Sequence, residues 1–211
     1  MNIRDFVDNF DVIIFDLGGV VIDLDYEATI RAFQGLGSEN FQTLYSQALQ
    51  SDLFDRYETG QISSLHFINK LKELLPQQLT PNQIVAAWNA MIQEFQPEKL
   101  RFLEEIKKTH TTALLSNTND LHIDFVRRKL SKVSEKSLEN YFHYTFLSHE
   151  IQIRKPNEHV FQFACQKMNI SPEKVLFIDD SIQHVEGAKK AGLNAILFPQ
   201  NESFSINVSY E

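Results

Sequence analysis

The chain has 211 residues, a net charge of −8, a single Cys, and 17 Phe against one Trp and three Met. That length holds one α/β domain, alone or with an insertion, and buries a core without staples, while the lone Cys excludes an internal disulfide. The acidic balance, the lack of a basic stripe interleaved with aromatics, the absence of an apolar run near the roughly 18 residues of a membrane span, and the acidic start at Met1–Asp8 lead to the expectation of a cytoplasmic protein with neither nucleic acid nor membrane as partner.

The first element is a strand over Val12–Phe15, four apolar residues in a row, followed at once by Asp16-Leu17-Gly18-Gly19. The glycines allow a tight turn and a close approach to a ligand, and Asp16 stands at the strand's carboxyl end. For this turn alone, a capping role competes with a chemical one.

The next strand is expected only at Thr112–Leu115, too far for an ordinary crossover. Helical patterns fill the interval at Tyr26–Leu36, Glu39–Leu49, Ser64–Leu75 and Asn82–Phe95. They predict a helical domain at residues 23–96 inserted into a core made of residues 1–22 and 97–211. Trp88 is expected in the core of the insertion. Tyr57–Ser63, with Glu58 and Gly60, reads as a turn or as a loop near a substrate.

Pro97 opens a helix over Glu98–Lys108 with a Glu104/Lys108 pair at i,i+4. Residues Arg128–Tyr141 read as an exposed helical excursion, Arg127-Arg128-Lys129 being one solvated turn. Further strands are expected at Tyr144–Leu147, Val175–Ile178 and Ala195–Phe198. Amphipathic helices are expected from Glu158, burying Cys165, and over Ser181–Ala191, with Gly192 at its C-terminal end. Strands alternating with helices specify a Rossmann-like, doubly wound parallel sheet.

Three other strand ends carry polar residues: Ser116-Asn117-Thr118, then Arg154-Lys155-Pro156-Asn157 after the third strand, and Asp179-Asp180-Ser181. Singly, these read equally as an N-cap, a surface charge and a costly pair of like charges. In a parallel sheet they share one edge with Asp16, where ligands bind outside the strands' carboxyl ends. The seven His are scattered without zinc-like spacing and read as structural or surface residues.

Asp16-Leu17-Gly18-Gly19-Val20, Ser116-Asn117, Lys155-Pro156 and Asp179-Asp180, in this order, resemble the four motifs of the haloacid dehalogenase-like hydrolases. A helical cap inserted after the first motif is also a trait of that family, so the resemblance covers the whole chain. It implies that the first strand lies between the second and fourth, with Asp16 and Asp180 about 4.8 Å apart across the sheet. It further implies Asp16 as a nucleophile that forms an aspartyl-phosphate, and Mg²⁺ held by Asp16, the Gly18 carbonyl and Asp180, with Asp179 nearby. Ser116 and Asn117 would hold phosphate oxygens, Lys155 would neutralise charge, and the substrate would be a small phosphorylated molecule.

Phosphatases of this kind usually carry a second Asp two residues after the nucleophile, as general acid and base. Here that residue is Gly18. A branch with Gly in this position includes sugar-phosphate phosphatases, which makes sugar 1-phosphates the first guess. Asp23 and Asp25 are substitute proton donors or, alternatively, caps of the helix that follows. Two other functions stay open: a metal-independent 2-haloacid dehalogenase, and a low-turnover protein that binds a phosphorylated ligand. Oligomeric state is also open.

Overall fold

The computed structural model describes residues 3–43, 52–75 and 79–204. Five strands, β1 (Val12–Phe15), β2 (Thr111–Ser116), β3 (Tyr144–Leu147), β4 (Val175–Asp179) and β5 (Asn194–Leu197), form one parallel sheet in the order β3-β2-β1-β4-β5. β1 is central, Val12 pairing with Thr111 on one side and Val175 on the other. All four β1 residues are buried, which explains why the run is uninterrupted rather than alternating: helices cover both faces. Ile13 and Phe15 pack on one face with Phe102 and Leu103, whereas Val12 and Ile14 pack on the other with Val160, Phe161 and Val185.

The first layer comprises α1 (Ile3–Val7), α6 (Pro97–Thr109) and α7 (Asp120–Leu130); the second comprises α9 (Glu158–Met168) and α10 (Ile182–Lys190). A short α8 (Ser148–Ile151) follows β3. β2 and β4 each run one residue past the expected apolar stretch, so Ser116 and Asp179 end their ladders as strand residues. None of the helices is long and apolar enough to cross a membrane, among the described residues.

Between β1 and α6 lie α2 (Tyr26–Gly35), α3 (Leu53–Glu58), α4 (Ser64–Leu74) and α5 (Pro81–Trp88). Phe33, Phe54, Tyr57, Phe67 and Trp88 gather into an apolar cluster of their own, with Tyr57 stacked on Phe67 at 4.2 Å. Most of the helix expected over Glu39–Leu49 lies outside the described residues. The helix expected over Asn82–Phe95 ends at Trp88, where a 3₁₀ turn over Asn89–Met91 follows. The reason is a backbone commitment: Leu24 bridges Ile92 antiparallel, the Asp25 amide donates to the Met91 carbonyl at 2.8 Å, and the Gln93 amide donates to the Asp23 carbonyl at 3.0 Å. The two connections thus run side by side as a ribbon.

A third segment pins that ribbon. Asn201, at φ 64°, accepts from the Leu24 amide and donates to the Leu24 carbonyl, both at 2.8 Å, while its own amide donates to the Gly19 carbonyl at 2.8 Å. Asp23 is bonded to Gln96 and, at 2.7 Å, to Lys99, whose side chain is fully buried.

The excursion expected over Arg128–Tyr141 is also corrected. α7 begins at the Asn119 cap and ends at Leu130 because Ile123, Val126 and Leu130 form one buried stripe. Beyond it, Leu138 and Tyr141 turn inward rather than staying exposed. Arg127 binds Glu139 at 2.7 Å, Lys129 binds Glu94 at 2.5 Å, and Glu104 reaches Lys136 at 2.6 Å rather than the expected Lys108.

Candidate active site

The turn after β1 is held by its backbone. The Asp16 amide donates to Ile178 at 2.9 Å, and the Leu17 carbonyl accepts from Val21 and Ile22, both at 2.9 Å. Gly19 sits at φ 75°, and a Cβ there would stand 2.2 Å from Asp180 Oδ2, so a side chain at that position is excluded twice over. The carboxyl ends of β1 and β4 therefore meet closely enough to bring Asp16, Asp179 and Asp180 together.

Lys155 enters from the loop between α8 and α9 with its side chain fully buried. Its Nζ lies 2.8 Å from Asp16 Oδ1 and 2.6 Å from Asp179 Oδ2. Burial works against its charge, but the two carboxylates outweigh burial and hold its pKa above the ordinary lysine value. Asn117 fixes where Lys155 enters: its Nδ2 donates to the Lys155 carbonyl and its Oδ1 accepts from the Lys155 amide, both at 2.9 Å. The Asn117 side chain, expected on phosphate oxygens, is thus committed to the Lys155 main chain. Ser116 is buried beside it and lines the same cavity as Asp16.

Burial raises the Asp16 carboxyl well above its usual range, the Asp179 charge raises it further, and Lys155 opposes both. Asp179 goes the other way. Burial alone would raise it, yet Lys155 and His184 hold it well below the ordinary carboxylate value. Asp180 is raised by burial and by Asp179. Three carboxylates around one ammonium leave an excess of negative charge, and the hard oxygen donors that carry it suit a small divalent cation such as Mg²⁺. Asp16, Asp179 and His184 offer ligand atoms within 4.8 Å of one another. His184 Nδ1 sits 3.0 Å from Asp179 Oδ1, an arrangement in which the ring orients that carboxylate.

The sequence reading missed His184, grouping it with scattered histidines. The signal was available, because residue 184 lies in the first turn of α10, directly after the Asp179-Asp180 pair. His122 was missed as well. It stacks on Trp88 with ring centres 5.0 Å apart, donates from Nε2 to the Trp88 carbonyl at 3.3 Å, and has its pKa lowered by burial to about 4. Trp88, expected only in the core of the insertion, also lines the cavity.

That cavity, of about 650 Å³, is lined by Asp16, Ser116 and Asp180 from the ends of the strands and by Glu58, Trp88 and Met91 from the segment between β1 and α6. Glu58 ends α3 and lies 3.0 Å from Arg154, which also binds Asp55 at 3.1 Å. Burial raises the Glu58 carboxyl above its ordinary value, against the pull of Arg154. The turn after it is docked firmly: Gly60 has φ 68°, and a Cβ there would stand 2.2 Å from the His149 carbonyl. Asp23 and Asp25 do not line the cavity. Asp23 is held by Lys99, and Asp25 caps α2 by accepting from the Ala28 amide at 3.2 Å.

A family model described as haloacid dehalogenase-like hydrolase matches residues 10–192. A D-ribitol-5-phosphate phosphatase of Bacteroides thetaiotaomicron is 28% identical over 189 residues, covering 90% of this chain and 91% of that protein. An (S)-2-haloacid dehalogenase of Burkholderia cepacia is 24% identical, covering 90% and 83% of the two chains. Among solved structures, a HAD family enzyme of B. thetaiotaomicron in complex with magnesium and inorganic phosphate superposes with a TM-score of 0.86, at 30% identity, covering 93% of this chain and 98% of that one.

Proposed function

Because the chain belongs to the haloacid dehalogenase-like hydrolases, we infer that it is a Mg²⁺-dependent phosphatase of a small phosphorylated sugar or polyol, working through an aspartyl-phosphate on Asp16. The observation that carries this reading is the excess of carboxylate over ammonium at the cavity: Asp16 and Asp180, which line it, with the fully buried Asp179 behind them, against Lys155. A hydrolase acting on carbon needs one carboxylate as nucleophile and one as base, whereas a dianionic phosphate next to three carboxylates needs a cation between them. The ribitol-phosphate phosphatase and the magnesium-phosphate complex among its relatives support the same assignment.

Asp16, Asp180 and the Gly18 carbonyl would hold the Mg²⁺, with Asp179 beside them. When bound, Mg²⁺ withdraws charge from the phosphate oxygens and screens them from the carboxylates. The buried ammonium of Lys155 favours the ionised form of Asp16 against burial, aims its carboxyl, and offers positive charge to the transferring phosphoryl group. Ser116 and the backbone amides after β2 bind phosphate oxygens, while Asn117 holds Lys155 in place. The helical insertion at residues 23–96 acts as a cap: it encloses the leaving group, excludes water and selects the substrate.

A phosphorylated sugar and polyol panel, assayed for phosphate release with and without Mg²⁺ and with Asp16→Asn as control, tests the assignment. Metal-dependent release that Asp16→Asn abolishes is expected. Halide release from 2-chloropropionate without metal would instead place the chain with its dehalogenase relatives.

A further inference from the structure

We propose that Glu58, which lines the same cavity as Asp16, is the proton donor to the leaving group and the base that activates water, in the place left vacant by Gly18. The proposal rests on the phosphatase reading above.

Its first support is geometric. In phosphoryl transfer the attacking and leaving oxygens lie roughly in line, so a substrate attacked by Asp16 at the strand ends presents its leaving oxygen to the insertion. Glu58 is the carboxyl that the insertion contributes to the lining of that cavity. It is the last residue of α3, and the turn that follows packs its Gly60 closely against the His149 carbonyl, which sets the helix end beside the core. Its Arg154 partner is the chain neighbour of Lys155, which ties Glu58 to the loop that carries the catalytic ammonium.

The second support is that the other titratable groups nearby are committed to the cation set or to holding the fold, whereas Glu58 is paired with Arg154 in the lining of the cavity itself. Asp180 belongs to the cation set, and His184 spends Nδ1 on Asp179. His122 gives its Nε2 hydrogen to the Trp88 carbonyl, and its Nδ1 faces Asn119 Nδ2 at 3.2 Å. Asp23 is held by Lys99 and Asp25 by Arg31 at 2.5 Å. Among the described residues lining the cavity, Glu58 is the remaining carboxyl, and burial makes its protonated form easier to reach.

The proton inventory closes. As the Asp16 Oδ–P bond forms and the bridging P–O bond breaks, the Glu58 carboxyl gives its proton to the leaving oxygen, releasing an alcohol. The resulting carboxylate is met by the Arg154 guanidinium at 3.0 Å. It then takes a proton from water as that water attacks phosphorus, which breaks the Asp16–phosphate bond and returns free Asp16, orthophosphate and protonated Glu58.

The test compares leaving groups in single-turnover phosphorylation of the Mg²⁺-loaded enzyme. An alkyl phosphate, such as a pentitol phosphate, needs protonation; p-nitrophenyl phosphate leaves as a stable anion. Glu58→Gln is expected to slow phosphorylation by the alkyl phosphate about 10²-fold or more and to change the p-nitrophenyl rate little. The retained p-nitrophenyl rate also reports that the variant folds. Glu58→Asp is expected to recover part of the alkyl rate. Equal losses on both substrates, or no loss on either, overturn the proposal. Failure of the parent reading looks different, since the unsubstituted enzyme would then release phosphate from neither substrate.

Discussion

The Leu24 side chain fills the space into which any side chain at Gly18 would grow: a Cβ on Gly18 would stand 2.5 Å from Leu24 Cδ1. The residue that lacks a proton-transfer group is thus crowded by the Leu24 side chain, which would have to turn aside while its backbone stays held by Asn201 through two hydrogen bonds. Gly18→Asp is expected to leave phosphatase kcat no higher and to cost about 1–3 kcal/mol, as overpacking does. Adding Leu24→Ala should return part of that stability. Denaturant melts and kcat for the single and double variants check it; a Gly18→Asp enzyme of full stability and raised kcat would refute it.

Lys155 is the ammonium on which two buried carboxylates depend. Lys155→Met leaves Asp16 and Asp179 without their shared partner, and removing one member of a buried ion pair costs about 3–5 kcal/mol. Asp16→Asn in the same background removes one stranded charge and should recover part of the loss. A double-mutant cycle by urea denaturation measures the coupling. Additive effects would show that Lys155 and Asp16 do not act as a unit.

Mg²⁺ should stabilise the fold by relieving carboxylate repulsion. With free Mg²⁺ at 100 times its dissociation constant, the gain is about 2.7 kcal/mol. Thermal melts in EDTA and in Mg²⁺ are expected to differ for the unsubstituted chain and to coincide for Asp180→Asn. The same removal of metal should abolish phosphate release. An Asp180→Asn protein with an undiminished Mg²⁺ shift contradicts the assigned ligand set.

His122 makes stability fall as pH falls. Its pKa is lowered to about 4 in the fold from an ordinary 6.5, so across that window the unfolded chain binds a proton that the folded chain refuses. The contribution from neutral His122 is complete above about pH 6.5, shrinks as pH drops, and stops changing below about 4. His122→Phe, which keeps a ring against Trp88, should flatten the pH dependence of stability in this range. An unchanged slope would mean that another group titrates there.

The sheet was legible because a parallel strand covered on both faces writes itself as an apolar run, and the runs of β1, β2 and β4 end in polar residues at one edge of the sheet. Asp16, Lys155, Asp179 and Asp180 were therefore visible from order and position. Side-chain commitments were not. Nothing in Ser116-Asn117 says that the amide of Asn117 clamps Lys155, and nothing in Asp23 says that it neutralises a buried Lys99 76 residues along the chain. α3 is six residues long, too short to show a periodicity, and so Glu58 read as part of a turn. α5 looked longer than it is, because the residues after Trp88 keep their apolar character while their backbone is taken by the ribbon with Leu24.

The sheet order has a consequence for biosynthesis. Of the five described strands β1 is made first and lies in the middle of the finished sheet, and both of its edges stay unpaired until Thr111 and then Val175 have been made. At ordinary elongation rates that wait is on the order of ten seconds. During it Val12–Phe15 is a short apolar template open on two sides, the kind of segment that pairs with other chains. Chaperone demand for this protein should accordingly concentrate on nascent chains that have not yet reached β4.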